Sequence, residues 1–322
     1  MKKTGLGGQK ERGMKKKKEP IEFRYYEIPQ NFPLIALLGE RWVTRYGADP
    51  MHFHNHLEIG FCYYGEGTLF LGKNQYPYKA GSITVIPKNF PHHTVGNEEG
   101  INKWEYLFVD IEKFLRELWK DRPVKANGLI ERINSRAFLI SSKEDPVFAS
   151  VIRTILEEMR ARNEFYKESV QGALASCIFQ LARKNPANGI PQTGIIDDRH
   201  LQGILLVLDY IGKHYPEPLM VGKLAAISHM SETHFRRIFL EFMNLSPAEY
   251  VTLVRIEKAC ELLAKTDERL ETIGNRVGFS SAATFNRNFK KVTGLPPRQW
   301  RNQAKNKTEN LVNYNISVLK GW

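Results

Sequence analysis

Only three cysteines occur in 322 residues; Cys62, Cys177 and Cys260 lie far apart and form no C-x-x-C or metal-finger spacing. That scarcity excludes a disulfide framework and a zinc finger, and makes a reducing cytosol the simpler setting. No stretch reaches the ~18 apolar residues that span a bilayer, so no membrane partner is expected. The first twenty residues are basic, yet no apolar segment follows them, so they do not read as a signal peptide. Catalytic signatures are missing as well. Neither a Ser/His/Asp triad, nor a phosphate-binding glycine loop, nor a second carboxylate site is legible, and an enzyme is not expected.

What is present is an ordinary apolar fraction of 42%, enough for a core in each half of the chain. A single core of this length would be at the upper limit, so two domains are expected. The formal charge of +12 points to an anionic partner. It is unevenly placed. Residues 1–20 hold eight Lys/Arg against Glu11 and Glu19, and residues 199–302 hold fifteen against ten Asp/Glu, leaving the middle close to neutral. Residues 1–20 read as a solvated, disordered basic arm.

Three regimes follow. Residues 21–145 begin as short β segments: Leu57–Tyr64, Thr68–Leu71 and Ser82–Ile86 are rich in β-branched and aromatic residues. They are bounded by Gly65-Glu66-Gly67, Gly72-Lys73-Asn74 and Ala80-Gly81, as hairpins require. Strands at such spacing indicate a sandwich or barrel. Residues 146–184 turn helical, with Val147, Val151, Ile155 and Met159 on one face, then Val170, Leu174, Cys177, Ile178 and Leu181. This hairpin either covers the barrel only or also forms a homodimer seam. Residues 185–198 carry two prolines and two glycines in a polar run and read as a linker. Residues 199–302 are helical almost throughout, and the tail 303–322 has no clear period.

The strongest signal is an internal repeat. Ser231, Phe235, Arg237 and Phe239 recur as Ser281, Phe285, Arg287 and Phe289 at an offset of 50, and the match continues through Asn244/Gly294, Leu245/Leu295 and Pro247/Pro297. Leu224-Ala225 aligns with Ile273-Gly274 at an offset of 49. Each copy reads as helix, tight turn, helix. The large-then-small pair lets the second helix cross closely, and the serine suits its N-terminus. Phenylalanines four apart bury one face. The opposite face then carries Ser231, Glu232, Thr233, Arg236 and Arg237, and in the second copy Ser281, Ala283, Thr284, Asn286, Arg287 and Lys291. Such a face suits the major groove of double-stranded DNA, where Arg and Asn pair with base edges. A helix from Pro247 to about Ala264 would span roughly 27 Å. Two readers on one DNA face sit about 34 Å apart, so this spacer fits successive major grooves.

The region resembles the DNA-binding domain of the AraC/XylS family of bacterial regulators. The resemblance rests on Ser246-Pro247-Ala248-Glu249-Tyr250, Arg255-Ile256-Glu257-Lys258-Ala259, Val277-Gly278-Phe279-Ser280, Arg287-Asn288-Phe289-Lys290 and Gly294-Leu295-Pro296-Pro297. Gly274 stands where the family usually has alanine, and Asn244 where it usually has glycine.

Upstream, His52-x-His54-x3-Glu58 and Gly81-x5-Pro87-x4-His92 resemble the two motifs of the cupin barrel. Three imidazoles and one carboxylate, His52, His54, His92 and Glu58, suit a divalent metal. Sensor barrels of the resembled family commonly keep such a pattern without metal and use the pocket for an organic ligand. No cofactor is therefore required, and a divalent metal in the cupin-like site is the alternative. Asn89 replaces a glycine of the second motif. His56 and His93 read as exposed or loop histidines. The effector pocket is assigned to His52, His54, Glu58, Tyr63, His92 and Trp104, with aromatics available to stack on a sugar.

The expected architecture is multidomain: an N-terminal all-β cupin-like barrel with a helical hairpin, then a C-terminal all-α double helix-turn-helix. The expected function is a cytoplasmic, sequence-specific transcription regulator, an activator responding to a carbohydrate-related small molecule. RNA polymerase is a partner implied by the resemblance alone.

Overall fold

The alternation of side chains along one central strand sets the layering of the N-terminal half. In this computed structural model, residues 22–185, 199–305 and 316–320 are described, apart from positions 27, 30, 41–42, 46–48, 73, 98–99 and 244. The expected basic arm, residues 186–198 of the expected linker 185–198, and Asn244 lie outside the described residues. Strand β5 (Leu57–Tyr64) is buried on both faces along most of its length. Leu57, Ile59 and Phe61 join the core shared with the helices, while Glu58 on the other parity lines a cavity.

Two sheets enclose that cavity. One runs β11 (Phe138–Ser141), β8 (Ser82–Ile86), β5, β10 (Ile101–Val109) and β2 (Leu34–Leu37), with β3 (Val43–Arg45) also on β10. The other runs β12 (Ile316–Lys320), β1 (Glu22–Tyr26), β4 (His52–His54), β9 (His92–Gly96), β6 (Glu66–Leu71) and β7 (Asn74–Lys79). Their pairings are antiparallel except β1 with β4. At Gly65, φ is +99° and a Cβ would strike Asn102, so glycine is required where β5 turns into β6.

Two helices not anticipated from the sequence, α1 (Ile111–Leu118) and α2 (Pro123–Ile133), follow β10. Local chemistry starts both: the Asp110 side chain accepts from the Lys113 N–H, and Pro123 occupies the first turn. The helical hairpin is α3 (Pro146–Ala161) and α4 (Tyr166–Lys184), and its apolar face packs on the outer side of β5, β8 and β10. The stripe covers this sheet, and Val147, expected on it, is exposed.

The C-terminal half comprises α5 (Arg199–His214), α6 (Val221–Ile227), α7 (Glu232–Met243), α8 (Pro247–Lys265), α9 (Leu270–Arg276), α10 (Ala282–Thr293) and α11 (Pro297–Lys305). Helix α8 opens with a capping box between Ser246 and Glu249. This half packs on the barrel: Phe53 of β4 meets Tyr250 of α8, and the Phe242 ring lies beside Gly72. The tail that showed no periodicity contributes β12 to the barrel.

Candidate effector pocket and nucleic-acid interface

A cavity of ≈ 300 Å³ lies between the two sheets. Alternation on β4 sends His52 and His54 inward and Phe53 outward. Glu58 arrives from β5, Thr84 from β8, His92 and Thr94 from β9, and Trp104, Tyr106 and Phe108 from β10. Of the six residues assigned from sequence, His52, Glu58, His92 and Trp104 line the cavity. His54 is fully buried behind Glu58. Tyr63 is a correction: its parity on β5 is that of Phe61, so it lies on the outer face beside Phe61 and under the Lys103 ammonium. His93 is in strand β9, stacked on Phe70, and so is not a loop residue.

Sequence reasoning missed Arg24, Tyr26 and Asp49. Arg24 donates to both Asp49 carboxylate oxygens at 3.0 and 2.5 Å, to Glu22 at 3.3 Å and to His52 Nε2 at 3.1 Å. Burial opposes its charge, but the Asp49 partnership prevails and holds the guanidinium protonated. No local pattern within Glu22–Tyr26 marks that arginine; only the parallel β1–β4 pairing brings it to His52.

The imidazoles share one hydrogen-bond scheme. Nδ1 lies 2.9 Å from Pro50 O in His52, 2.8 Å from His56 O in His54 and 2.9 Å from Phe90 O in His92. A carbonyl only accepts, so each Nδ1 carries hydrogen and each neutral ring keeps its lone pair on Nε2. His54 Nε2 and His92 Nε2 lie 3.1 and 3.6 Å from a Glu58 oxygen. Burial drives the pKa of His52 well below its ordinary value and lowers that of His54. Burial alone would raise the Glu58 carboxyl, but His92 and His54 beside it hold it well below the carboxylate range. That attraction needs a proton on Nε2 as well as on Nδ1; where the rings are neutral, a divalent cation would take the place of that proton between Glu58 and the Nε2 lone pairs. Ligand atoms of His52, Glu58 and His92 fall within 4.8 Å of one another. The donor set fits a divalent metal, with backbone carbonyls orienting the rings. Such an ion would compete with Arg24 for His52 Nε2.

Asn89, in the glycine position of the second motif, adopts φ +62° and donates its N–H to His54 O at 2.7 Å. Asparagine tolerates that conformation, so the loop leading into β9 and His92 keeps its course.

In the C-terminal half, the two repeats fold alike. Leu224, Ala225, Ile273 and Gly274 are buried, as are Phe235, Phe239, Phe285 and Phe289. A Cβ on Gly274 would come within 3.0–3.3 Å of Phe285, a helix crossing tight enough to favour glycine. The side chains of Ser231 and Ser281 accept from the N–H of His234 and Thr284. Ser231, Glu232, Thr233, Arg236, Arg237, Ser281, Ala283, Asn286, Arg287 and Lys291 are exposed, and Thr284 is half-buried. Arg236 pairs with Glu232 at 2.7 Å and Arg237 with Glu241 at 3.4 Å, so both guanidiniums are held along α7.

Comparison with known proteins agrees with both halves. An AraC-like ligand binding domain matches residues 37–181, and a helix-turn-helix domain matches residues 224–303. The chain thus carries an AraC-like ligand binding domain followed by a helix-turn-helix domain, as the two motif sets imply. An uncharacterized HTH-type transcriptional regulator of Staphylococcus aureus is 25% identical over 257 residues, which is 80% of this chain. This chain spans about a third of that relative's length (33%). YobQ of Bacillus subtilis, also an HTH-type transcriptional regulator, is 36% identical over 93 residues, 29% of this chain and 39% of its own. Among solved structures, ToxT from Vibrio cholerae aligns with 83% of this chain and 96% of its own, at 15% identity and a TM-score of 0.39. Among the described residues, no helix is long and apolar enough to cross a membrane.

Proposed function

We propose that this chain is a sequence-specific DNA-binding transcription regulator, acting in the cytoplasm as an activator that answers to a small molecule held in the barrel. One observation carries the reading: two equivalent helix-turn-helix units flank the rigid helix α8, and each turns an exposed face bearing Arg or Asn to solvent. Arg236, Arg237, Asn286 and Arg287 would read base edges; Ser231, Thr233, Ser281 and Lys291 would meet phosphates. The names of the Staphylococcus and Bacillus relatives support this reading. RNA polymerase would be the partner of an activator, and pairing into a homodimer would juxtapose two half-sites. Selection of duplexes from a random pool, followed by anisotropy at increasing salt, tests it. Enrichment of a common sequence with salt-dependent affinity is expected; recovery of unrelated sequences only would refute it.

For the effector we propose a carbohydrate-related molecule. Tyr78, Trp104, Tyr106 and Phe108 offer ring faces, and Arg24, Asp49, His52 and Thr84 offer hydrogen bonds. The buried Thr84 hydroxyl has no hydrogen-bond partner among the described residues. Thermal shifts over a panel of sugars and sugar acids test this.

The imidazole tautomers favour a second reading. His52, His54, Glu58 and His92 would hold a divalent ion, which would supply a Lewis-acidic centre for an oxygen ligand. Elemental mass spectrometry of protein purified without chelator decides it. About one equivalent, lost in His92→Ala, supports the ion; under about a tenth in folded protein removes it.

A further inference from the structure

The last described strand of the chain returns from the reader to the sensor. β12 pairs antiparallel with β1 over five positions, from Glu22 opposite Lys320 to Tyr26 opposite Ile316. On its other side β1 pairs with β4 over only three positions, Glu22 to Arg24. The C-terminal strand therefore supplies the longer of the two ladders that fix β1. β1 is no passive wall, since Arg24 and Tyr26 line the cavity and Arg24 bonds His52. Arg24 stands opposite Val318. β12 also lies against α10, the helix that carries Asn286 and Arg287. Without β12, β1 would become a sheet edge with unpaired backbone groups.

We propose that residues 316–320 form a strap that couples the effector cavity to the second helix-turn-helix unit. An occupant that engages Arg24 moves β1, β1 carries β12, and β12 bears on α10. The coupling is reciprocal: DNA on α10 alters the same ladder and hence the cavity. The proposal rests on reading the cavity as the effector site and α10 as a DNA reader.

Two measurements on the full chain, on a chain ending at Lys305 and on the Ser317→Pro/Val318→Pro variant test it. Neighbouring residues of a strand turn their N–H groups to opposite sides, so one of the two prolines must break the ladder. Hydrogen exchange by mass spectrometry should show protection at residues 22–26 in the parent and its loss in both variants. Equal protection in all three would overturn the strap. In the second measurement, Arg24→Ala is made in each background and affinity is read on the duplex enriched by the parent. Arg24→Ala should change affinity by about fivefold or more in the full chain and by less than about twofold in the strap variants. The same change in every background would overturn the coupling. Should no duplex be enriched, the DNA-reading proposal fails by itself, and hydrogen exchange still judges whether the strap exists.

Discussion

The ring of Phe53 on β4 meets the ring of Tyr250, in the first turn of α8, with centroids 6.1 Å apart and planes inclined by 43°. The residues on either side of Phe53 are His52 and His54, which face the opposite way, so one three-residue strand joins cavity and spacer helix. Tyr250 is fully buried, and its hydroxyl has no hydrogen-bond partner among the described residues. Tyr250→Phe should therefore leave stability unchanged or raise it by about 1 kcal/mol, because a desolvated hydroxyl is removed without breaking a bond. Phe53→Ala should cost about 3 kcal/mol, the usual toll of emptying a packed phenylalanine site. Urea unfolding measures both. A loss on Tyr250→Phe as large as that of Phe53→Ala would show that the hydroxyl is bonded.

Arg237 and Arg287 occupy the same place in the two repeats, and both are exposed. Alanine at either should weaken binding to the enriched duplex by about 1–3 kcal/mol and relax preference at one base position. Arg236 is tied to Glu232 in the same helix, so Glu232→Gln should free it and alter binding less. Anisotropy titrations against single-base variants of the duplex check this. Affinity unchanged in both alanine variants would remove these arginines from base reading.

Much of this architecture was legible because it rests on local periods. The repeat at Phe235/Phe239 and Phe285/Phe289 announces two helices with one buried face each, and all four rings are buried. Strand β5 announces itself by composition, and the hairpin stripe from Ile155 to Leu181 by its helical spacing. Tyr63 could have been placed by the same arithmetic, since it differs in parity from Glu58. Arg24 could not. Its role depends on β1 lying parallel to β4, a pairing between residues 28 apart that nothing in Glu22–Tyr26 encodes. Helices α1 and α2 carried readable start signals at Asp110 and Pro123, but they interrupt a region whose strands dominate the pattern. The pairing of β12 with β1 joins opposite ends of the chain and leaves no local trace.

Trp104 combines burial with a place on the cavity wall, and among the described residues its indole N–H has the Tyr78 hydroxyl nearby but no well-aligned acceptor. A hydroxylated ligand would supply one. Trp104→Phe keeps an apolar ring, so the fold should survive. Its thermal shift with the best sugar should fall by the equivalent of about tenfold in affinity, one charge-neutral hydrogen bond plus lost stacking. An undiminished shift would place the sugar elsewhere in the cavity or outside it.

Glu257 on α8 is buried next to Lys258 and Glu261, with Lys88, just after β8, and Glu112 of α1 also acting on it. Burial pushes its carboxyl up from the ordinary 4.5 to about 7, an effect that Lys258 only partly offsets. Between those two values the folded protein holds a proton that the unfolded chain has released. Folded stability from this group therefore declines as pH rises from about 4.5 to about 7, and the loss persists above. The expected decline is about 3 kcal/mol, the free energy that separates 4.5 from about 7. Glu257→Gln cannot ionise and should unfold at a higher urea concentration than the parent at pH 8, while matching it near pH 5. If parent and variant keep a constant separation across that range, the carboxyl is ionised throughout and the Lys258 ammonium, not burial, governs it.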